Sequence, residues 1–415
     1  MDGSRTLYRG AALADGRSDR LELGVSVLVA GGRIAWIRPA DDEGPAGGTG
    51  GEGGAPEIVD ASGATIVPGM VDAHSHLTLP GGGHWIDRIG DDAAVLAEVA
   101  ERNARLMTGA GVRWARDVGA PVVEDPVDGR RRALSLGVRD RWAAAIGGTD
   151  AYPYVRAAGT WVERAGTIPG GRTAAANDAD ELLALAIRQL DDGADLVKLY
   201  LDGPDDPAAC PWSVDELRRV VDAVHARGSK VTAHAGRLDG ARAGTAAGVD
   251  ALEHGFELDD DLAAEMARRG TFLVSTLAVF RSWRTFGRTT SLPRFASDEG
   301  VARLDAREEA ARASVSAARR AGVPIATGTD FGGGSTRANQ LAWEVESLVA
   351  AGLEPWAALA SATWRGGELL DEPDAGTIRE GGPADFFLVH GDPLSDPSAL
   401  WRVWRVAWNP PARLR

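Results

Sequence analysis

Of the seven histidines in the chain, His74 and His76 stand two residues apart in the run GMVDAHSHL, at the end of an apolar segment. On an extended strand, residues i and i+2 face the same way. Both imidazoles can therefore enter one space and share a metal ion. Three more ionisable residues close apolar runs: His234 ends KVTAH, His254 ends DALEH and Asp330 follows IATGT. Lys198 stands near the end of ADLVK. One polar group at a strand exit can be a hydrogen-bonded core residue. Six of them on five runs, all at the same end, point instead to a site. Nitrogen and carboxylate ligands together suit zinc, with manganese, cobalt, nickel or iron as alternatives.

Lysine usage singles out Lys198. Only Lys198 and Lys230 are lysines, so 43 of the 45 basic residues are arginine. A buried lysine can lose its proton and react, which an arginine does not do. Lys230, at the start of its run, reads as an ordinary strand-edge cation.

Substrate contacts are read from position. Tyr200 lies two past Lys198 and shares its face, so its phenol can hydrogen-bond a tetrahedral oxyanion. Arg237 follows His234 by three residues and Arg337 lies in the loop after Asp330; either can bind a substrate carboxylate. Arg116, at the end of GVRWAR, is a similar candidate. His84, in PGGGHW, can touch substrate, whereas His225 and His390 read as surface residues. Among 13 tryptophans, Trp85, Trp161, Trp212 and Trp283 fall in predicted loops, where they can line an aromatic pocket.

These residues need elements to hold them. Residues 1–66 read as short strands and turns, with a hairpin around Gly31-Gly32 in VSVLVAGGRIAWI. Residues 43–55 are a glycine-rich loop. From about 66, strands alternate with helices. Asp178 with Glu181 and Ser213 with Glu216 form candidate capping boxes, and Gly228 marks a helix stop. A long Arg/Ala/Glu helix is expected over 302–321. Eight strands are predicted at 66–70, 112–116, 141–146, 196–199, 231–233, 251–253, 272–275 and 325–327. Eight strand–helix units argue for an α/β fold, a (β/α)8 TIM-like barrel with its site at the C-terminal strand ends. A doubly wound sheet shares the alternation, but no GxGxxG follows the first strand. The tail from 371 returns to strand and turn. The expectation is a small β-sandwich domain built from 1–66 and 371–415, flanking a barrel over 67–370.

Composition bounds the function. The 415 residues are 44% hydrophobic and 25% charged, which excludes wholesale disorder. No apolar run approaches the ~18 residues of a membrane helix. The start of the chain lacks the apolar core of a signal peptide. The single cysteine, Cys210, allows no internal disulfide and fits a cytoplasmic location. A net charge of −15 disfavours nucleic acid and anionic membranes, leaving a small-molecule substrate as the expected partner.

In this order and spacing, VPGMVDAHSHL (67–77), GADLVKLY (193–200), SKVTAHA (229–235), AGVDALEHG (247–255), GVPIATGTD (322–330) and AGTIREGGPADFFLVHGDPL (375–394) resemble the amidohydrolase superfamily. The resemblance covers nearly the whole chain. It is to the branch similar to imidazolonepropionase and the metal-dependent Xaa-Pro dipeptidases. It implies two divalent metal ions, zinc first. His74, His76 and Asp330 would hold one, His234 and His254 the other, and Lys198 would bridge them as a carbamate formed with carbon dioxide. A hydroxide bridging the metals would be the nucleophile, and Asp330 would pass its proton to the leaving nitrogen. The reaction would be hydrolysis of an amide, peptide, cyclic amide or lactone. Members of the family are often homo-oligomers. Dipeptidase-like members carry Gly-Gly-His-Gly after the third strand, where this chain has Gly147-Gly148-Thr149-Asp150. The competing readings are a mononuclear relative that deaminates or opens a heterocycle, and a non-catalytic scaffold, which would lack the ligands.

Overall fold

Eight parallel strands follow one another in the computed structural model, which describes residues 5–43, 55–145 and 152–408. They are Met70–Ser75, Val112–Asp117, Tyr154–Ala157, Leu196–Tyr200, Lys230–Ala235, Ala251–His254, Phe272–Ser275 and Ile325–Thr327. The first three pair in order, and so do the last five. The two groups meet where Asp195 donates its N–H to the Ala157 carbonyl at 2.8 Å. There Trp161–Arg164, just beyond the third strand, pairs with the fourth. The eighth strand returns to the first through the parallel bridge Ser75–Phe331. Helices cover the outside, so the strands are buried on both faces, as parallel strands in such folds are. This is the (β/α)8 barrel expected.

Two boundaries differ from the sequence reading. The described part of the run over 141–146 is not a strand: Leu134–Ala145 is a helix that buries Leu134, Val138 and Trp142. Those residues recur every fourth position, the period of a helix and not of a strand. The third strand comes later, at Tyr154–Ala157. The run predicted at 66–70 divides at Gly69. Ala64–Pro68 pairs with Phe386–His390, while Met70–Ser75 opens the barrel.

Helix ends follow the caps. Ser213 and Glu216 exchange both capping-box bonds ahead of Val214–His225, which buries Leu217, Val220, Val221 and Val224. Asp178 caps Ala179–Asp191 through the amides of Asp180 and Glu181, but the Glu181 carboxylate accepts from Asn177, so only half the box forms. The long helix runs Asp298–Ala321.

Strands from both ends of the chain form one seven-stranded sheet. Its core includes Tyr8, Val27, Ile34, Ile66, Phe386 and Leu388. The predicted hairpin joins Glu22–Ala30 to Arg33–Pro39 through Gly31 and Gly32, both at positive φ, 51° and 77°. That is the conformation a two-residue hairpin turn needs. The glycine-rich run over 44–54 and the Gly147–Asp150 segment lie outside the described residues. No helix among the described residues is long and apolar enough to cross a membrane.

Candidate metal centre

The strand period stacks the site in layers. Trp114 and Ala251 belong to a buried apolar cluster with Tyr154, Val274 and Ala326. Two residues further along the same strands stand Arg116 and Glu253, and with them the chemistry begins. Glu253 is completely buried. It accepts from Arg116 Nη2 at 2.5 Å and from the Thr232 hydroxyl, and its other oxygen lies 2.6 Å from His74 Nδ1. Burial alone would raise this carboxyl, but the Arg116 charge, with Lys198 and His74, holds it well below the usual range. Glu253 therefore stays an anion and orients His74, leaving Nε2 to face the site.

The neighbouring imidazoles are fixed in the same way. His76 Nδ1 lies 2.7 Å from the Gly119 carbonyl, which can only accept, so that nitrogen carries the proton. His254 Nδ1 lies 2.8 Å from Thr276 Oγ1. Such partners on the far nitrogen are what a metal-binding histidine has. The Nε2 atoms of His74 and His76 are 3.4 and 3.3 Å from Asp330 Oδ1. His74, His254 and Asp330 each place a ligand atom within 4.8 Å of the others. The His254 ring lies 4.5 Å from that of His234. His234 is held differently: its Nε2 is 3.2 Å from Asp202, and its ring stacks on Tyr200 at 3.8 Å. Its Nδ1 is the nitrogen left for a metal.

Lys198 completes the cluster. Its Nζ is buried and has no hydrogen-bond partner among the described residues. Burial lowers its pKa to about 8, against the opposing pull of Glu253. A buried amine without a partner is rare and calls for a reason. Donor chemistry and the orphaned amine both fit a pair of metal ions bridged by a modified lysine.

The backbone is strained at the same place. His254 and Asp330 have φ of 71° and 51°; Asp371 is the other described non-glycine residue at positive φ. Strain of this kind collects at functional sites. It has a visible result at His254: adjacent strand residues normally face opposite ways, yet both Glu253 and His254 serve the site. Gly333 allows the close packing, since a Cβ there would lie 2.1 Å from His76 Cδ2.

Burial would raise Asp330, but hydrogen bonds with His74 and His76 hold it well below the carboxylate range. Burial, reinforced by neighbouring charge, holds His254 well below the imidazole range, and burial also lowers His234. Burial raises the Tyr200 phenol, so it remains a donor.

Other candidates are placed elsewhere. Arg116 is not a free anion binder: it lies beneath the ligands, bonded to Glu253 and to the Ala73 carbonyl at 2.6 Å. Arg337 donates to the Pro80 carbonyl at 2.7 Å and so holds the loop after the first strand. Arg237 is half-exposed and pairs with Glu257. His84 is exposed and faces Asp87 at 3.4 Å. His225 ends its helix and bonds Asp250 at 2.9 Å. Trp161 is in a strand, 5.2 Å from the His76 ring, and Trp283 is in the helix Ala278–Thr289. Trp85 and Trp212 are in loops, as expected. The sequence reading missed Glu253 and Asp202. An acid inside the apolar run DALEH was the available signal for the first.

Residues 65–407 match the model of the amidohydrolase family. An uncharacterized protein of Mycobacterium tuberculosis is 31% identical over 354 residues, covering 84% of each chain. The ochratoxinase of Aspergillus niger is 28% identical over 370 residues, 82% of this chain and 74% of that one. Among solved structures, a Xaa-Pro dipeptidase with methionine bound in its active site superposes with a TM-score of 0.79 at 24% identity, over 97% of this chain and 98% of that one.

Proposed function

The chain belongs to the amidohydrolase family, and on that premise we propose that it hydrolyses an amide or peptide-like C–N bond at a centre of two divalent ions, zinc first. The orphaned Lys198 amine, whose charge acts on His234, His254 and Asp330, carries this reading. His74, His76 and Asp330 would hold one ion, and His254 with the free Nδ1 of His234 the other. Lys198 would bridge them. Its neutral amine adds to carbon dioxide, forming an N–C bond and releasing one proton, and the carbamate turns an orphaned donor into a bidentate anion. When bound, the ions polarise the scissile carbonyl and lower the pKa of water to about 7.

The chain's own groups do the rest. The Asp330 carboxylate, ionised, accepts the proton of the attacking water. It then delivers that proton to the leaving nitrogen. Tyr200, kept protonated by burial, donates a hydrogen bond to the carbonyl oxygen as it gains charge. Arg237, three residues past His234, would meet a substrate carboxylate by exchanging its Glu257 partner for it. The likeness to a Xaa-Pro dipeptidase supports a dipeptide-like or N-acyl compound as substrate.

The test is Lys198→Ala. The variant should lose bound metal and at least a thousandfold in turnover of a hydrolysable dipeptide or N-acyl amino acid. Full activity with unchanged metal content would reject the bridged centre and favour a mononuclear relative.

A further inference from the structure

Ring contacts continue outward from the metal centre. Successive centroid distances are 5.3 Å from His254 to Phe256, 5.0 Å from Phe256 to Phe280, 5.5 Å from Phe280 to Trp283 and 6.2 Å from Trp283 to Trp85. This aromatic track ends at a cavity of about 310 Å³, walled by Trp85, Trp283, Phe295 and Leu304. Every charged residue in the wall is an arginine: Arg294, Arg303 and Arg307. In a chain with a net charge of −15, the wall of this cavity carries no acid.

Two of these arginines sit on ring faces. Arg294 lies 4.4 Å from the Trp85 centroid and 4.8 Å from that of Phe295. Arg307 lies 5.6 Å from Trp283 and 5.8 Å from Phe256. Arg303 has a carboxylate partner, Glu299, at 3.7 Å. Arg294 donates to the Gly83 carbonyl, and neither Arg294 nor Arg307 forms an ion pair among the described residues. Phe256, the ring next to His254, puts Arg307 on the metal-centre side of the cavity. Asp202 and Glu257, the acids that act on Arg307, are themselves engaged with His234 and Arg237.

We infer that this cavity is a substrate subsite for a planar aromatic group carrying a negative charge, with Trp85 and Trp283 taking the ring and Arg307 and Arg294 pairing the anion. Arg307, lying on ring faces with no hydrogen bond among the described residues, keeps its N–H edge free for a two-point bond to a carboxylate, and Arg294, held by the Gly83 carbonyl, adds its charge. The volume is about twice the ~150 Å³ that accepts benzene in an engineered apolar cavity, which suits a bicyclic arene. The inference deepens the hydrolase reading and rests on it only in calling the arene part of a substrate.

The test is calorimetric titration of the purified holoprotein with naphthalene-2-carboxylate and with its neutral amide, naphthalene-2-carboxamide. The carboxylate should bind at least tenfold more tightly. Arg307→Gln, on an exposed helix face, should raise the carboxylate Kd about tenfold, equivalent to about 1.4 kcal/mol, and leave the amide Kd unchanged. Trp283→Leu should weaken both. Equal affinity for the two probes, no binding to the folded protein, or a carboxylate Kd unmoved by Arg307→Gln would overturn the subsite. The readout needs no turnover. A protein that binds the carboxylate through Arg307 yet cleaves no amide would keep the subsite and reject the hydrolase reading.

Discussion

At the scale of residues, six ionisable side chains were legible because each closes an apolar run. Such positions serve packing poorly, and the strand period aims them at one space. What stayed hidden was their support. Glu253 precedes His254 directly, and strand alternation puts the two on opposite faces. The left-handed backbone at His254 breaks that rule, and no residue type announces it. Arg116 was read as an anion binder for a related reason: its charge is visible in sequence, but its partner Glu253 comes from a strand 137 residues away. Asp330 is where a proton-transfer role and a ligand role can be separated. Asp330→Asn keeps an oxygen donor but loses the basic carboxylate. It should retain most of the metal and lower kcat by ~10²–10⁴-fold, the usual worth of general acid–base catalysis. Turnover within tenfold of wild type, with metal retained, would remove Asp330 as the proton carrier.

At the scale of elements, six of the eight barrel strands were found near their true places, since short apolar runs between helices are distinctive, while the run at 66–70 met the first barrel strand only at Met70. The third was misplaced because RWAAAI is apolar enough for either structure, and a window of six residues is too short to show that Leu134, Val138 and Trp142 share a helical stripe. Helix Leu341–Ala350 carries an acid whose burial the sequence did not suggest. Glu344 accepts from Ser275 Oγ and from the Ala278 amide, each at 2.6 Å. Burial pushes its pKa to about 7, above the 4.5 of an ordinary glutamate. A carboxyl raised in the folded state contributes stability that is full below the unfolded pKa and lost as pH rises through the folded one. The loss should fall between about pH 4.5 and 7 and approach ~3 kcal/mol. Glu344→Gln keeps the acceptor oxygen and removes the titration. Denaturant unfolding at pH 5 and pH 8 should therefore show a smaller decline for the variant than for wild type. Parallel declines would mean that Glu344 does not titrate in this range.

At the scale of the whole molecule, both ends of the chain meet in one sheet, and that was legible from the return to strand patterning after 371. We read 1–66 with 371–415 as one unit and 67–370 as the other. The Ala64–Pro68 strand supports this reading, because it pairs with Phe386–His390. It then passes through Gly69 into the strand that carries His74 and His76. On the proposed ligand set, the small unit would anchor the first two ligands, and the barrel would bring the other four to them. The whole arrangement has one direct consequence, which is the number of ions it holds. Elemental mass spectrometry on protein purified without chelator should give two divalent ions per chain. One ion per chain, persisting after dialysis against zinc and bicarbonate, would contradict the bridged centre and leave the buried Lys198 amine without a role.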